Sequence, residues 1–253
     1  MKKIFLLAFV VVLYSGIAKA QIFIDKASIE FEVTSNIKKN MGENDWAEQM
    51  LSKLPMFKKE YYDFIFADNK SIYQFNRLAE KEKYPIYMTQ ENKNKWYTDY
   101  SQGIINTDKE LIGAKFNISD SLPKMEWRLI NENRIIAGFN CKKAVSKIFD
   151  SVFVFAFYTD EIVISGGPNN INGLPGMILG LTIPRLFTSW IATKVSVNAI
   201  DASIIKPTIA KKYYTNKALK DLLYERTKDW WDGDDVSDEN KQQKNRFLWT
   251  SLL

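Results

Sequence analysis

Cys141 is the only cysteine in the chain, and none of the 253 residues is histidine. The absence of histidine excludes Ser-His-Asp and Cys-His catalysis and removes the commonest metal ligand. A reactive Cys141 would need a lowered thiol pKa. Lys142 and Lys143 follow it, but successive strand residues face opposite ways, so Lys142 points away from the thiol. Cys141 reads instead as core, sharing a strand face with Ala137 and Phe139. One cysteine also rules out an internal disulfide.

The carboxylates offer a second chemistry. Asp160 and Glu161 follow an apolar strand directly, and two adjacent acids at a strand end point apart, which is poor geometry for an acid/base pair. Asp232, Asp234, Asp235, Asp238 and Glu239 could hold a hard cation through oxygen. They lack the spacing of a calcium loop, so a solvated, mobile tail is expected and no metal. Gly166-Gly167 and Gly173-x-x-Gly176 match neither phosphate-binding glycine pattern, so no nucleotide and no other cofactor is expected.

The elements around these residues are mostly strands. Pro175 fixes its own φ and biases Leu174 towards extended backbone, while Gly176 accepts φ > 0. Leu174-Pro175-Gly176-Met177 therefore reads as a type II turn feeding a buried strand, Met177 to Ile183. Ile24 to Thr34 alternates Ile29, Phe31 and Val33 with polar residues, the pattern of a half-buried strand. Asn36 to Asn44 reads as a loop, and Asp45 to Leu54 as a short helix stopped by Pro55. Tyr61 to Ala67 and Ser71 to Arg77, joined at Asp68-Asn69-Lys70, read as a hairpin with Tyr62, Phe64, Phe66, Tyr73 and Phe75 on one face. Ala79 to Asn94 is a connection, and Lys95 to Tyr100 with Gly103 to Asn106 is a strand pair.

Further on, single strands are expected at Lys109 to Ile118, Trp127 to Ile130, Ile135 to Val145, Val152 to Tyr158 and Trp190 to Ala199. Val152 to Tyr158 is apolar on both faces, so it should be central and covered on both sides. In the last of these strands, Ile191, Val195, Val197 and Ala199 should face alike. Asn216 to Lys228 has helical spacing, with Leu219, Leu222 and Leu223 on one side. Short strands at roughly ten-residue spacing predict a mainly β (α+β) fold: a curved, predominantly antiparallel sheet or partial barrel with one or two covering helices.

The N-terminus has the three parts of a secretory signal peptide: Lys2-Lys3, an apolar run from Ile4 to Tyr14, and a small-x-small site ending at Ala20. The expected division is a signal peptide over 1–20 and one domain over 21–253, with 216–253 a helix and polar tail. Export to the periplasm or medium follows, with no membrane span after cleavage. Without the leader, 32 Lys+Arg face 30 Asp+Glu, too balanced to argue for nucleic acid.

An ordered series of motifs carries a resemblance. It runs Ile136-Ala137-Gly138-Phe139-Asn140-Cys141-Lys142-Lys143-Ala144, Phe157-Tyr158-Thr159-Asp160-Glu161-Ile162, Gly167-Pro168, then Gly173-Leu174-Pro175-Gly176-Met177-Ile178. Together these resemble the GLPGLI family of exported proteins, found mainly in the Bacteroidota, from about Tyr61 to Val197. Met177 stands where the family name has Leu, and Phe157 where Trp is expected. The resemblance implies export and a β-rich fold, with no established activity and no catalytic residues. The positions it singles out are structural: Gly167, Pro168, Gly173, Leu174, Pro175 and Gly176, with Cys141 and Tyr158.

Aromatic residues make up 14% of the chain and fall largely on strand faces, which fits either a filled core or a concave apolar cavity. The leading expectation is a non-enzymatic exported protein that binds an apolar small molecule or a cell-envelope protein. The alternatives are a structural, partner-binding module without a cavity, and a His-independent hydrolase using carboxylates.

Overall fold

The structure, a computed structural model, describes residues 23–41, 54–85, 88–89, 92–149, 151–198, 200–230 and 238–253. The expected signal peptide, all but the end of the Asp45–Leu54 helix, and Asp232, Asp234 and Asp235 lie outside the described residues.

Among the described residues, eleven strands form one antiparallel sheet. β1 (Ala27–Asn36) is central, with Ala27, Ile29, Phe31 and Val33 facing inward as alternation requires. On one side follow β2 (Phe57–Ala67), β3 (Lys70–Leu78), β4 (Lys95–Asp99), β5 (Ile104–Leu111) and β6 (Ala114–Ser121). On the other lie β11 (Thr188–Ser196), β10 (Met177–Ile183), β9 (Val152–Thr159), β8 (Phe139–Ile148) and β7 (Arg128–Ile136). The fold is thus two meanders sharing the β1–β11 pair.

Chain length forces the sheet to curve. Laid flat, ten inter-strand spacings would separate β6 from β7 by about 48 Å. The two strands are joined by residues 122–127, which reach no more than about 25 Å when extended. The edges must therefore approach each other. Curvature shows again at Gly180 of β10, where an added Cβ would lie 2.8 Å from Ile136 Cδ1, although β8 and β9 separate the two strands in the sheet.

Three hairpins turn on two-residue loops with both residues at positive φ: Asp68-Asn69 (50° and 59°), Ile112-Gly113 (47° and 73°) and Ala137-Gly138 (49° and 89°). Such turns match the twist of the strands they join. The first was expected. The other two correct the reading, since Lys109 to Ile118 and Ile135 to Val145 each span a hairpin and not one strand. Ala137 consequently sits in a turn and not on a face with Cys141.

Strand β9 is fully covered on one face and only partly on the other, where Phe157 and Thr159 are buried. Val152, Val154 and Ala156 are fully buried, while Phe153 on the opposite face is 54% exposed. Arg134 and Lys143 lie over the Phe157 ring at 4.5 and 5.7 Å, so cationic side chains cover part of that face in place of a second apolar layer. In β11, Trp190 and Ala192 point inward, leaving Ile191 outward.

Three α-helices complete the described residues. α1 (Ile37–Met41) occupies part of the expected loop, and Asn36 caps it by accepting from Lys39 N–H at 3.0 Å. α2 (Asn216–Thr227) is capped by Thr215, whose Oγ1 accepts from Ala218 N–H. Leu219 and Leu223 are fully buried against Phe116 and Ile118 of β6, contributing about 1.5–3 kcal/mol each. α3 (Asp238–Leu252) replaces the expected polar tail from Asp238 onward. Leu248 joins the α2–β6 cluster, and Trp249 and Leu253 pack on the main core, so apolar contact holds this segment in place. No helix among the described residues is long and apolar enough to cross a membrane.

Candidate functional site

The Gly166–Gly176 segment links β9 to β10, and its turn differs from the type II expectation. Gly176 N–H donates to the Leu174 carbonyl at 2.8 Å, a three-residue turn about Pro175. Met177 N–H, which would close a type II turn, donates instead to Ile162 O at 3.1 Å. Gly176 does have positive φ (139°), and an added Cβ would lie 2.0 Å from the Thr159 carbonyl oxygen. Glycine is therefore demanded by close backbone approach as well as by conformation.

The other singled-out residues are mostly core and edge. Leu174, Cys141 and Tyr158 all belong to the main apolar cluster. The Cys141 thiol donates weakly to the Phe139 carbonyl at 3.6 Å, and burial pushes its pKa up to about 12, which disfavours the thiolate. Gly173 and Pro175 are exposed, whereas Gly167 and Pro168 are buried. Asp160 is half exposed and paired with Lys142 at 2.7 Å, the lysine holding its carboxyl below the usual range.

A cavity of about 530 Å³ lies between the sheet, α2 and the end of α3. Strand alternation turns Ile105, Thr107 and Lys109 of β5 inward together, beside Trp96 of β4. The turn at Pro168–Asn170 supplies Asn169 and Asn170, both left-handed at φ 53° and 60°. Asn170 is fixed: its Oδ1 accepts from Thr98 Oγ1 at 3.0 Å and its Nδ2 donates to Thr107 Oγ1 at 3.1 Å. The Asn169 amide has no hydrogen-bond partner among the described residues.

Lys109 is the unusual group. It is 6% exposed, and its ammonium donates to the Ser251 carbonyl at 2.7 Å, beside the Trp96 ring. Burial lowers its pKa to about 7 by disfavouring the charged form. Trp96 Nε1 donates to the Leu253 carbonyl at 3.1 Å, so two sheet side chains grip the last turn of α3. A second cavity of about 230 Å³ shares Trp96, Lys109, Asn169 and Leu253 with the first.

Lysines ring the larger cavity. Lys124, Lys147 and Lys220 are exposed and form no ion pair among the described residues, while Lys217 is held by Asp221 at 2.9 Å. No Asp or Glu among the described residues lines it. Apolar wall comes from Ile105, Met125, Ile148, Phe149 and Ile171. None of the residues singled out from sequence lines this cavity, although Asn169 and Asn170 directly follow Gly167-Pro168. Their signal was Pro-Asn-Asn itself, since Asn tolerates left-handed backbone. Lys109 was hidden by the misplaced strand boundary, which separated it from Ile105.

Two solved structures share the fold. Those of PNGF-II in the C2 and P21 space groups align with TM-scores of 0.50 and 0.51, at 17% and 16% identity. Each alignment covers 79% of this chain, which spans about a third of the length of either protein. A comparison with curated proteins returns no match. Residues 57–224 match the family described as N-glycanase peptide, N-terminal domain, and the chain belongs to that family.

Proposed function

We propose that this chain is an exported, non-catalytic binding domain and that the 530 Å³ cavity takes its ligand. The observation that carries this reading is the lining, where apolar wall meets unused polar capacity at Lys109 and Asn169. Desolvating such groups is unfavourable unless a ligand or water satisfies them. Membership of the N-glycanase N-terminal family brings forward envelope glycoconjugates with an apolar portion as the ligand class. Export is supported by the charged, apolar and small-residue order of residues 1–20. Gly173 to Ile178 falls inside the family-matched residues, which supports a further proposal that the GLPGLI resemblance marks the same group of proteins.

Native mass spectrometry of the exported protein, repeated after solvent extraction, tests the reading. A bound mass that extraction removes is expected. Protein free of bound mass that also fails to take up glycopeptides or amphiphiles contradicts it.

A second reading rests on β7, the edge strand on the opposite side from β6. Leu129 and Ile135 on it are 62% and 72% exposed, an apolar unpaired edge suited to a protein partner. Charged replacements at both positions would abolish partner capture in that case and leave cavity binding intact.

A further inference from the structure

We propose that the cavity recognises an anionic head, a carboxylate or phosphate, carried on an apolar body. The inference rests on the cavity being the ligand site. Lys109 and Asn169 serve as the inner donors, and Lys124, Lys147 and Lys220 as a cationic rim.

Charge segregation is the first argument. The chain is close to balanced, with 35 Lys+Arg against 30 Asp+Glu, yet among the described residues five lysines and no Asp or Glu side chain line this one cavity. Solvated lysines on an ordinary surface would be interspersed with acids, and here Lys217 alone has one, Asp221.

Depth is the second. The rim lysines act through solvent and attract at range, whereas Lys109 sits on the cavity floor among apolar and amide groups. In its protonated form, which a bound anion favours, Lys109 has three N–H donors, and one is committed to Ser251 O. An anion seated beside Asn169 would accept from those left over, and a charge-assisted bond there is stronger than one to a neutral hydroxyl. Ile105, Met125, Ile148 and Phe149 then leave an apolar volume for the body of the ligand.

Isothermal titration of the whole chain with laurate, dodecyl phosphate, dodecyl maltoside and inorganic phosphate, each below its micelle concentration, tests this. Both charged amphiphiles should bind at least about tenfold tighter than the maltoside, the advantage shrinking with added salt. Tighter laurate would indicate a fatty-acid type head, and tighter dodecyl phosphate a phospholipid type; both support the proposal. The exposed double variant Lys147→Gln/Lys220→Gln should lose part of that advantage, together with much of its salt dependence, while keeping the wild-type melting temperature. Maltoside binding as tightly as laurate overturns the charge assignment and leaves the cavity reading standing. Inorganic phosphate binding as tightly as dodecyl phosphate overturns the role of the apolar body. Absence of binding by every amphiphile defeats both the proposal and the reading beneath it.

Discussion

Lys109 Nζ donates to the Ser251 carbonyl oxygen across 142 residues of sequence, joining β5 to the last turn of α3 inside the sheet. A cation at a helix C-terminus interacts favourably with the unpaired carbonyls there. The same burial that makes this contact dry also disfavours the charge.

That conflict predicts a pH dependence. Around Lys109, the first cavity presents Lys124, Lys147, Lys217 and Lys220, and the second presents Glu60, itself paired with Lys58 at 2.9 Å. The Lys109 pKa falls from 10.5 to about 7 on folding. Between these values the unfolded chain holds the proton and the folded chain does not, so its contribution to stability falls as pH drops from 10.5 to 7 and is flat below. Relative to Lys109→Met, the wild type should therefore be less stable at pH 7 than at pH 10 by about 2–4 kcal/mol. Urea denaturation at the two pH values measures this, and a difference that does not change with pH contradicts it.

Gly176 and Gly173 separate backbone strain from close approach. Both have positive φ, but an added Cβ meets Thr159 O at 2.0 Å from Gly176 and nothing closer than 3.5 Å from Gly173. Gly176→Ala should destabilise by about 3 kcal/mol or more and Gly173→Ala by about 1 kcal/mol. Equal losses in thermal unfolding would show that φ alone matters.

Asn170 should be replaceable in part by glycine. Asn170→Gly loses the bonds to Thr98 and Thr107 and keeps the left-handed backbone, at a loss of about 1 kcal/mol. Asn170→Ala adds strain of about 1 kcal/mol. Alanine matching glycine in denaturant midpoint would remove the conformational role.

The Cys141 thiol should be inert in the folded protein. With no surface exposure and its pKa raised to about 12, it should resist an aromatic disulfide reagent at pH 8 and react fully in urea. Rapid labelling of the native chain would place the thiol in an accessible site.

Alternation made much of the sheet readable, because Ile29, Phe31 and Val33 or Tyr62, Phe64 and Phe66 declare their inward face directly. The two missed hairpins turn on Ile112-Gly113 and Ala137-Gly138, whose first residues are poor turn formers held at positive φ by strand pairing. α3 was obscured by its polar composition, since only a few residues near its end, Leu248 and Trp249 among them, anchor it. The cavity was least legible. It is assembled from β4, β5, the end of β8, the β6–β7 connection, the Pro168–Asn170 turn and two helices, and its central group is a lysine, which is expected on the surface.

Filling the cavity tests the central claim most directly. Met125 lies on the β6–β7 connection and lines the wall, so Met125→Trp can occupy the space without altering a strand. Native mass spectrometry with laurate should show one bound molecule on the wild type and at least about tenfold weaker binding to Met125→Trp, at similar melting temperatures. Equal occupancy on the two proteins would contradict the cavity as the binding site.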